Sequence, residues 1–308
     1  MTRILQTTGQ GNFIETSYDC PTTIDDGVIV KNIMTGVCTS DIAMMKGEFG
    51  PLPLHMQGHE GLGQVINVGK DIFTDVNVGD YVATRGEPAY ADFYPVREGE
   101  FVVIPEAHPK YIIEPVACGI NVIYGDLIEI EGRALSRDAR LLIIGTGFLA
   151  YVAYKTLKNL GIEIAIDVVG SSNKDMWAKE DVTLLEKPKE GYDIVINLKE
   201  NHNWLENSNI VNNNACLIEA VGRSVSKKEN DNLLWKATTT VRPSPRKTIF
   251  IECMELAVNW IKNGQLDVDS FWTKAYNRDT EWQSAFADGL NRPAGYSRGY
   301  IYWNNNGN

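Results

Sequence analysis

The strand and glycine turn at Leu141–Ala150, LLIIGTGFLA, constrain the fold of this chain more than any other stretch. Its four leading apolar residues predict a buried strand of the kind found in parallel sheets. The G-x-G-x-x-A pattern that follows predicts a tight turn and then a helix to about Leu160. Such a turn lets a pyrophosphate approach the N-terminal end of the helix closely. The residues predicted to contact the dinucleotide that carries this pyrophosphate are Gly145, Thr146, Gly147, Phe148 and Leu149.

Further strands are predicted downstream of this turn. Apolar runs at residues 162–169, 192–196 and 216–222 alternate with helical segments, which predicts βαβ units and a doubly wound parallel sheet. Little room remains between Lys174 and Tyr192, so we expect the usual helix or strand there to be trimmed. The sequence therefore indicates an α/β dinucleotide-binding domain that is short for its kind.

The end of the second strand predicts which dinucleotide binds. An acidic residue there would hold the ribose hydroxyls of NAD, whereas small polar and basic residues leave room for the 2′-phosphate of NADP. Asp167 lies too early in the strand, and Ser171, Ser172 and Lys174 follow it, so we expect NADP to be preferred and NAD to remain an alternative. The other interpretation is a polar loop with a solvated lysine. Arg223 is either a further cofactor contact or a surface charge.

Composition excludes several classes of protein. The 308 residues carry a net charge of −11, which argues against a nucleic-acid surface. No apolar run reaches the ~20 residues that a membrane span needs, and the N-terminus lacks a signal-peptide core, so we expect a cytoplasmic protein without membrane partners. Its 5 cysteines are scattered, which disfavours a disulfide framework and fits a reducing compartment.

The N-terminal third reads as short strands separated by turns, which predicts a partly open β-barrel. Within it, Cys38 and His59 are too far apart to share one helix face, so only tertiary folding could bring them together. Gly58 and Gly61 bracket His59 and Glu60, and they allow the backbone to turn tightly around these side chains. Thiolate, imidazole and carboxylate groups are the ligands that zinc prefers.

Three motifs in register carry a family resemblance: Gly36–Asp41 (GVCTSD), Gly58–Val65 (GHEGLGQV) and Val78–Val82 (VGDYV). In order and spacing they resemble the zinc-dependent medium-chain alcohol dehydrogenases. The resemblance implies a GroES-like catalytic domain, a Rossmann cofactor domain, and Cys38 and His59 as ligands of a catalytic zinc. It also implies that Ser40 hydrogen-bonds the substrate oxygen and that Asp41 orients His59.

The third zinc ligand is left open by the sequence. The segment EPVACGINVIYG resembles the one that carries the second cysteine ligand in alcohol and cinnamyl-alcohol dehydrogenases, which favours Cys118. Its Glu-Pro pair resembles polyol dehydrogenases, where the glutamate lies near the metal, so Glu114 is the alternative. Glu60 is then either a neighbouring catalytic group or an alternate ligand. Because residues 83–89 contain no cysteine, we expect the short form without a structural-zinc lobe, with one zinc per chain.

Together these expectations predict the domain limits and the function of the chain. The catalytic domain comprises residues 1–117 and 243–308, and the Rossmann domain comprises residues 118–242. We expect a zinc-dependent oxidoreductase that transfers a hydride between NADP(H), or NAD(H), and an alcohol or polyol and its carbonyl partner. A zinc-free quinone or enone reductase and a non-catalytic binding protein of the same fold are the alternatives. The resemblance further implies a homodimer or homotetramer.

Overall fold

A computed structural model of the chain describes residues 1–50, 52–53, 56–200, 202–220, 226–233, 235–241 and 247–303. It divides into two compact units. The first unit comprises Met1–Ala117 and Met254–Asn308, and the second comprises Cys118–Cys253. The boundary predicted at 242/243 falls on residues outside the described ranges, and the functional domain limits stay a prediction.

Strands dominate the N-terminal part of the chain, and its elements are named in chain order. They are β1 (Thr2–Thr7), β2 (Phe13–Tyr18), β3 (Gly27–Gly36), α1 (Thr39–Met45), β4 (Gly61–Val68), β5 (Tyr81–Thr84), β6 (Phe93–Arg97), β7 (Phe101–Ile104) and α2 (Glu114–Tyr124).

Helices and strands alternate in the next segment. These elements are α3 (Leu127–Ala134), β8 (Arg140–Ile144), α4 (Phe148–Asn159), β9 (Ala165–Val169), α5 (Lys174–Trp177), β10 (Thr183–Leu185), β11 (Tyr192–Asn197), β12 (Val211–Glu219), α6 (Lys227–Leu233) and β13 (Ala237–Val241). The chain continues through α7 (Lys247–Lys262), β14 (Trp272–Asn277), α8 (Trp282–Asn291) and β15 (Arg298–Tyr302).

The first unit is built on a seven-stranded sheet. Six of its strands follow the order β14-β15-β3-β4-β5-β7, and the seventh, β6, pairs with β3 outside this order. The long strand β3 pairs antiparallel with β4, β6 and β15. Apolar side chains from its strands form one core cluster, and a second cluster packs around Tyr90 and Phe286. C-terminal strand β15 thus lies directly beside the N-terminal strand that leads to Cys38.

The second unit contains a six-stranded parallel sheet with the order β10-β9-β8-β11-β12-β13. In chain order this is 3-2-1-4-5-6, the doubly wound arrangement in which a ligand crevice lies between the first and fourth strands. The predicted trimming is confirmed, because α5 has 4 residues and β10 has 3. The predicted fold class, a strand-rich unit plus a doubly wound α/β unit, is confirmed.

Candidate active site

Cys38 stands immediately before α1, where its backbone is fixed by the first helical turn. Its N–H donates to Oδ2 of Asp41 at 2.8 Å, and the N–H of Asp41 donates to the Cys38 carbonyl at 3.1 Å. This reciprocal arrangement satisfies two groups at the start of the helix. The half-buried Cys38 thiol and the buried Asp41 carboxylate are therefore positioned by the same short segment.

His59 reaches this segment from the loop that precedes β4. Its Nδ1 lies 3.7 Å from Oδ1 of Asp41, and its Nε2 lies 3.5 Å from Oγ of Ser40. Gly58 adopts a φ of +77° and leaves no room for a side chain, since a Cβ there would lie 2.7 Å from the Tyr90 ring. The turn thus aims His59 at α1.

Glu60 completes a cluster of three side chains. One ligand atom each from Cys38, His59 and Glu60 lies within 4.8 Å of the other two. Glu60 is fully buried and accepts two bonds from Nη2 of Arg298, at 2.6 and 2.5 Å. Gly36 provides the space for this carboxylate, because a Cβ at position 36 would lie 2.0 Å from Oε2 of Glu60.

Arg298 is a site residue that sequence reasoning missed. It begins β15 and is separated from Glu60 by 238 positions along the chain. Its guanidinium also lies over the Trp272 ring, 4.9 Å from the ring centroid. No local pattern marks such a residue, since only the pairing of β15 with β3 brings it to the cluster.

Tyr90 is a second residue that the sequence did not single out. Its hydroxyl donates to Oδ2 of Asp41 at 2.7 Å, and its buried ring makes edge contacts with Phe13 and Phe286. Oδ1 of Asp41 has no hydrogen-bond partner among the described residues. That oxygen faces His59 Nδ1, so the geometry leaves Nε2 as the nitrogen of His59 turned toward Ser40.

The buried charges of this cluster favour a cation. Burial lowers the pKa of His59, but Asp41, the Cys38 thiol and the Glu114 charge outweigh it and raise this pKa well above its usual value. Burial and then the nearby Glu60 raise the pKa of the Cys38 thiol. Burial likewise raises the pKa of Asp41, although His59 and Tyr90 oppose this shift. A proton or a metal ion bound to the His59 ring is therefore stabilised by the surrounding acidic groups.

The two candidates for the third ligand belong to different units. Glu114 is buried at the start of α2 in the first unit, where its charge contributes to the raised pKa of His59. Cys118 is half-buried and is the first residue of the second unit. The choice between them stays a prediction.

The glycine turn of the second unit has the geometry expected from its sequence. Gly145 follows β8 with a φ of +128°, which favours glycine, and Gly147 directly precedes α4. Thr146 between them is buried. Phe148 and Leu149 form the start of the 12-residue helix α4, so the turn presents a helix N-terminus at the carboxyl end of the sheet.

The predicted specificity residues lie in the loop after β9 and at the start of α5. Ser171, Ser172 and Lys174 are exposed. Asp167 lies within β9 and accepts bonds from Tyr192 at 2.7 Å and Arg140 at 2.9 Å, so its carboxylate has a structural role. Arg223, the remaining predicted cofactor contact, lies outside the described residues.

Comparison with known proteins shows which proteins this chain resembles. Residues 24–107 match the model of the alcohol dehydrogenase GroES-like domain. The chain is 28% identical over 183 residues to D-arabitol-phosphate dehydrogenase of Enterococcus avium, covering 48% of this chain and 49% of that protein. It is 24% identical over 229 residues to NADP-dependent alcohol dehydrogenase 6 of Saccharomyces cerevisiae, covering 62% and 60%. The matches therefore span about half to three fifths of these relatives.

The fold comparison covers nearly the whole chain. The crystal structure of S. aureus TarJ in complex with NADPH has a TM-score of 0.75 and 18% identity, with 98% of this chain and 99% of that chain covered. These matches support the predicted resemblance to the medium-chain dehydrogenases. They confirm the predicted fold, a GroES-like domain together with a Rossmann-like parallel sheet.

The two clusters of candidate site residues lie in different units. The cluster of Cys38, His59 and Glu60 lies in the unit that contains the GroES-like match, and the glycine turn lies in the unit with the doubly wound sheet. None of the described helices combines the length and the apolar composition that a bilayer crossing requires.

Proposed function

We propose that this protein is a zinc-dependent oxidoreductase that transfers a hydride between NADP(H) and an alcohol or polyol and its carbonyl partner. The observation that carries the proposal is the convergence of Cys38, His59 and Glu60 beside the buried carboxylate of Asp41. Names of relatives support the substrate class, since the two reported relatives are an alcohol dehydrogenase and a polyol-phosphate dehydrogenase.

The cluster suits zinc by its donor chemistry and by one orphaned atom. A thiol, an imidazole and a carboxylate are typical zinc ligands. Oδ1 of Asp41, which lacks a hydrogen-bond partner among the described residues, faces His59 Nδ1. A histidine that binds metal through one nitrogen usually donates its other N–H to such an acceptor. Asp41 would therefore hold His59 in the tautomer that leaves Nε2 free for the metal.

The contact between Arg298 and Glu60 helps to distinguish direct zinc ligands from side chains that only lie near the zinc. Because it binds both oxygens of Glu60, that carboxylate already has a cationic partner. We infer that Cys38 and His59 are the direct ligands, with Cys118 as the third. Glu60 and Glu114 would serve as neighbouring acidic groups or alternate ligands.

The chemistry divides between the bound groups and the side chains of this chain. When bound, zinc supplies Lewis acidity to the substrate oxygen, and the nicotinamide exchanges the hydride. Ser40 would bind the substrate hydroxyl through Oγ, which lies beside His59, and would pass the substrate proton on to solvent water. Asp41 would keep His59 oriented throughout.

The second unit would supply the cofactor site. Gly145, Thr146 and Gly147, with the start of α4 at Phe148 and Leu149, would bind the pyrophosphate. Ser171, Ser172 and Lys174 follow β9 without an acidic residue at its end, which supports NADP over NAD. The neighbour solved with NADPH supports the same choice.

Metal analysis of the purified protein and a fluorescence titration with NADPH test this proposal together. Zinc at about one ion per chain with cofactor binding supports the dehydrogenase. Cofactor binding without zinc would favour the zinc-free reductase, and neither would favour a binding protein. A screen of primary alcohols, polyols, polyol phosphates and their carbonyl partners then identifies the substrate.

Two substitutions address the ligands directly. We expect Cys38→Ala and His59→Ala each to abolish zinc binding and turnover while NADPH binding persists. Cys20→Ala is the matched control, because Cys20 is not one of the proposed ligands. A metal-free Cys38→Ala protein with full activity would contradict the metal role. The predicted homodimer or homotetramer is tested separately by analytical ultracentrifugation.

A further inference from the structure

Thr146, at the centre of the glycine turn, is bonded on two sides by the loop that follows β9. Its hydroxyl oxygen accepts the N–H of Ser172 at 3.0 Å and lies 2.9 Å from the Ser172 hydroxyl. Its carbonyl accepts Nδ2 of Asn173 at 3.0 Å and Nε1 of Trp177 at 3.1 Å. Four contacts between these two segments therefore converge on one residue.

Trp177 anchors this arrangement through a buried side chain. It is the last residue of α5 and is 1% exposed, although its neighbours in α5 include the exposed Lys174. Its ring packs edge-on against Tyr151 and at a tilt against Tyr154, both from α4. The indole N–H thus ties the one-turn helix α5 to the turn that precedes α4.

Close packing and backbone conformation adapt the loop to this contact. A Cβ on Gly170 would lie 2.6 Å from Oγ1 of Thr146, so only glycine lets the loop approach so closely. Asn173 has a φ of +51°, a conformation that asparagine tolerates better than most residues. Asn173 in this left-handed conformation directly precedes α5, which begins at Lys174.

The same bonds orient Ser172 for a ligand. Because Thr146 Oγ1 already accepts the Ser172 N–H, its own proton can go to Oγ of Ser172. The Ser172 hydroxyl can then donate its own proton to an anionic ligand bound at the exposed side of the loop. Ser171 on the same loop and Lys174 at the start of α5 are both exposed.

We propose that Trp177 and Asn173 are positioning residues that set the affinity of this protein for nucleotides with a 2′-phosphate on the adenine ribose. They act by holding Ser172 and Lys174 at a fixed place relative to the glycine turn. This inference rests on the proposed preference for NADP. The glycine turn is also held by a backbone hydrogen bond from the Gly145 N–H to the Val169 carbonyl. The position of the turn therefore depends less on the Trp177 and Asn173 side chains than the position of the exposed loop does.

Calorimetric titration of the full-length protein with 2′,5′-ADP and with 5′-ADP tests the proposal. Trp177→Phe keeps an aromatic ring but removes the indole donor, and Asn173→Gly keeps the backbone conformation but removes the amide. We expect each variant to bind 2′,5′-ADP about fivefold more weakly, with a change of less than about twofold for 5′-ADP. Tyr154→Phe is the matched control, because its hydroxyl bonds Asp181 rather than Thr146.

The outcomes separate this inference from the proposed function. If the unsubstituted protein does not prefer 2′,5′-ADP, the preference for NADP is wrong and the inference falls with it. If it does prefer 2′,5′-ADP but both variants keep the same ratio of affinities, only the positioning role is wrong. An equal loss for both nucleotides would also overturn the inference, since it would indicate a general defect of the fold. Should Trp177→Phe fail to fold, Asn173→Gly alone decides.

Discussion

The two candidate sites of this protein are held together by different interactions. The cluster at Cys38 combines buried charges, and besides the neighbouring Asp41 their partners include Tyr90 and Arg298 from distant parts of the chain. The glycine turn is held by uncharged hydrogen bonds from one loop that ends at Trp177. A buried charge that loses its partner costs several times more free energy than one lost neutral hydrogen bond. Substitutions should therefore have large effects at the first site and graded effects at the second.

The largest effect is expected at Arg298. Arg298→Met leaves the buried carboxylate of Glu60 without its cationic partner, which should lower the free energy of unfolding by about 3–5 kcal/mol. Urea unfolding measures this loss. The double variant Arg298→Met with Glu60→Gln should recover at least half of it, because neither charge of this ion pair remains. Equal losses in the single and double variants would mean that the ion pair is not the cause.

The next effect concerns the orientation of His59. Asp41→Asn turns an amide N–H toward His59 Nδ1, so zinc affinity should fall by about 10–100-fold. Competition with a chromophoric chelator measures this affinity. Asp26→Asn is the control, since Asp26 pairs with Arg97 at the surface. Unchanged zinc affinity in the Asp41 variant would remove this residue from the metal site.

These first two predictions differ in how far the sequence alone supports them. Cys38, His59, Ser40 and Asp41 could be grouped from motifs in register, because each motif is local and the family resemblance supplies their relation. Arg298 could not, since its partner is 238 positions away and only the β15–β3 pairing unites them. The doubly wound sheet was predictable from alternating apolar runs. The bonds around Thr146 were not, because they depend on the packing of one short helix.

An intermediate effect is expected in the second unit, at Asp167. Burial alone would raise the pKa of this carboxyl, but bonds from Tyr192 and Arg140 and the charge of Lys189 outweigh burial and lower it. Asp167→Asn should cost about 1–3 kcal/mol of unfolding free energy at pH 7. Because the folded pKa is the lower one, this stabilisation is complete above the ordinary value of 3.8 and is lost as pH falls through the folded value. Unfolding curves of both proteins should therefore converge in acid, and a constant difference would contradict the assignment.

The smallest effect is expected at the exposed Lys174. Lys174→Ala should weaken NADPH binding by about fivefold and leave NADH binding unchanged, since an exposed charge contributes about 1 kcal/mol. The difference should shrink at high salt. Lys179→Ala, an exposed lysine just beyond α5, is the control. Fluorescence titration at two salt concentrations distinguishes a 2′-phosphate contact from a solvated lysine, for which neither cofactor would respond.

The absence of a side chain at Gly36 limits how this protein can be engineered. The carboxylate of Glu60 fills the volume where any other residue would place its first side-chain carbon. Libraries that randomise β3 to change selectivity must therefore keep position 36 as glycine, or shorten residue 60 to aspartate in the same variant. A larger residue at position 36 thus requires a shorter one at position 60.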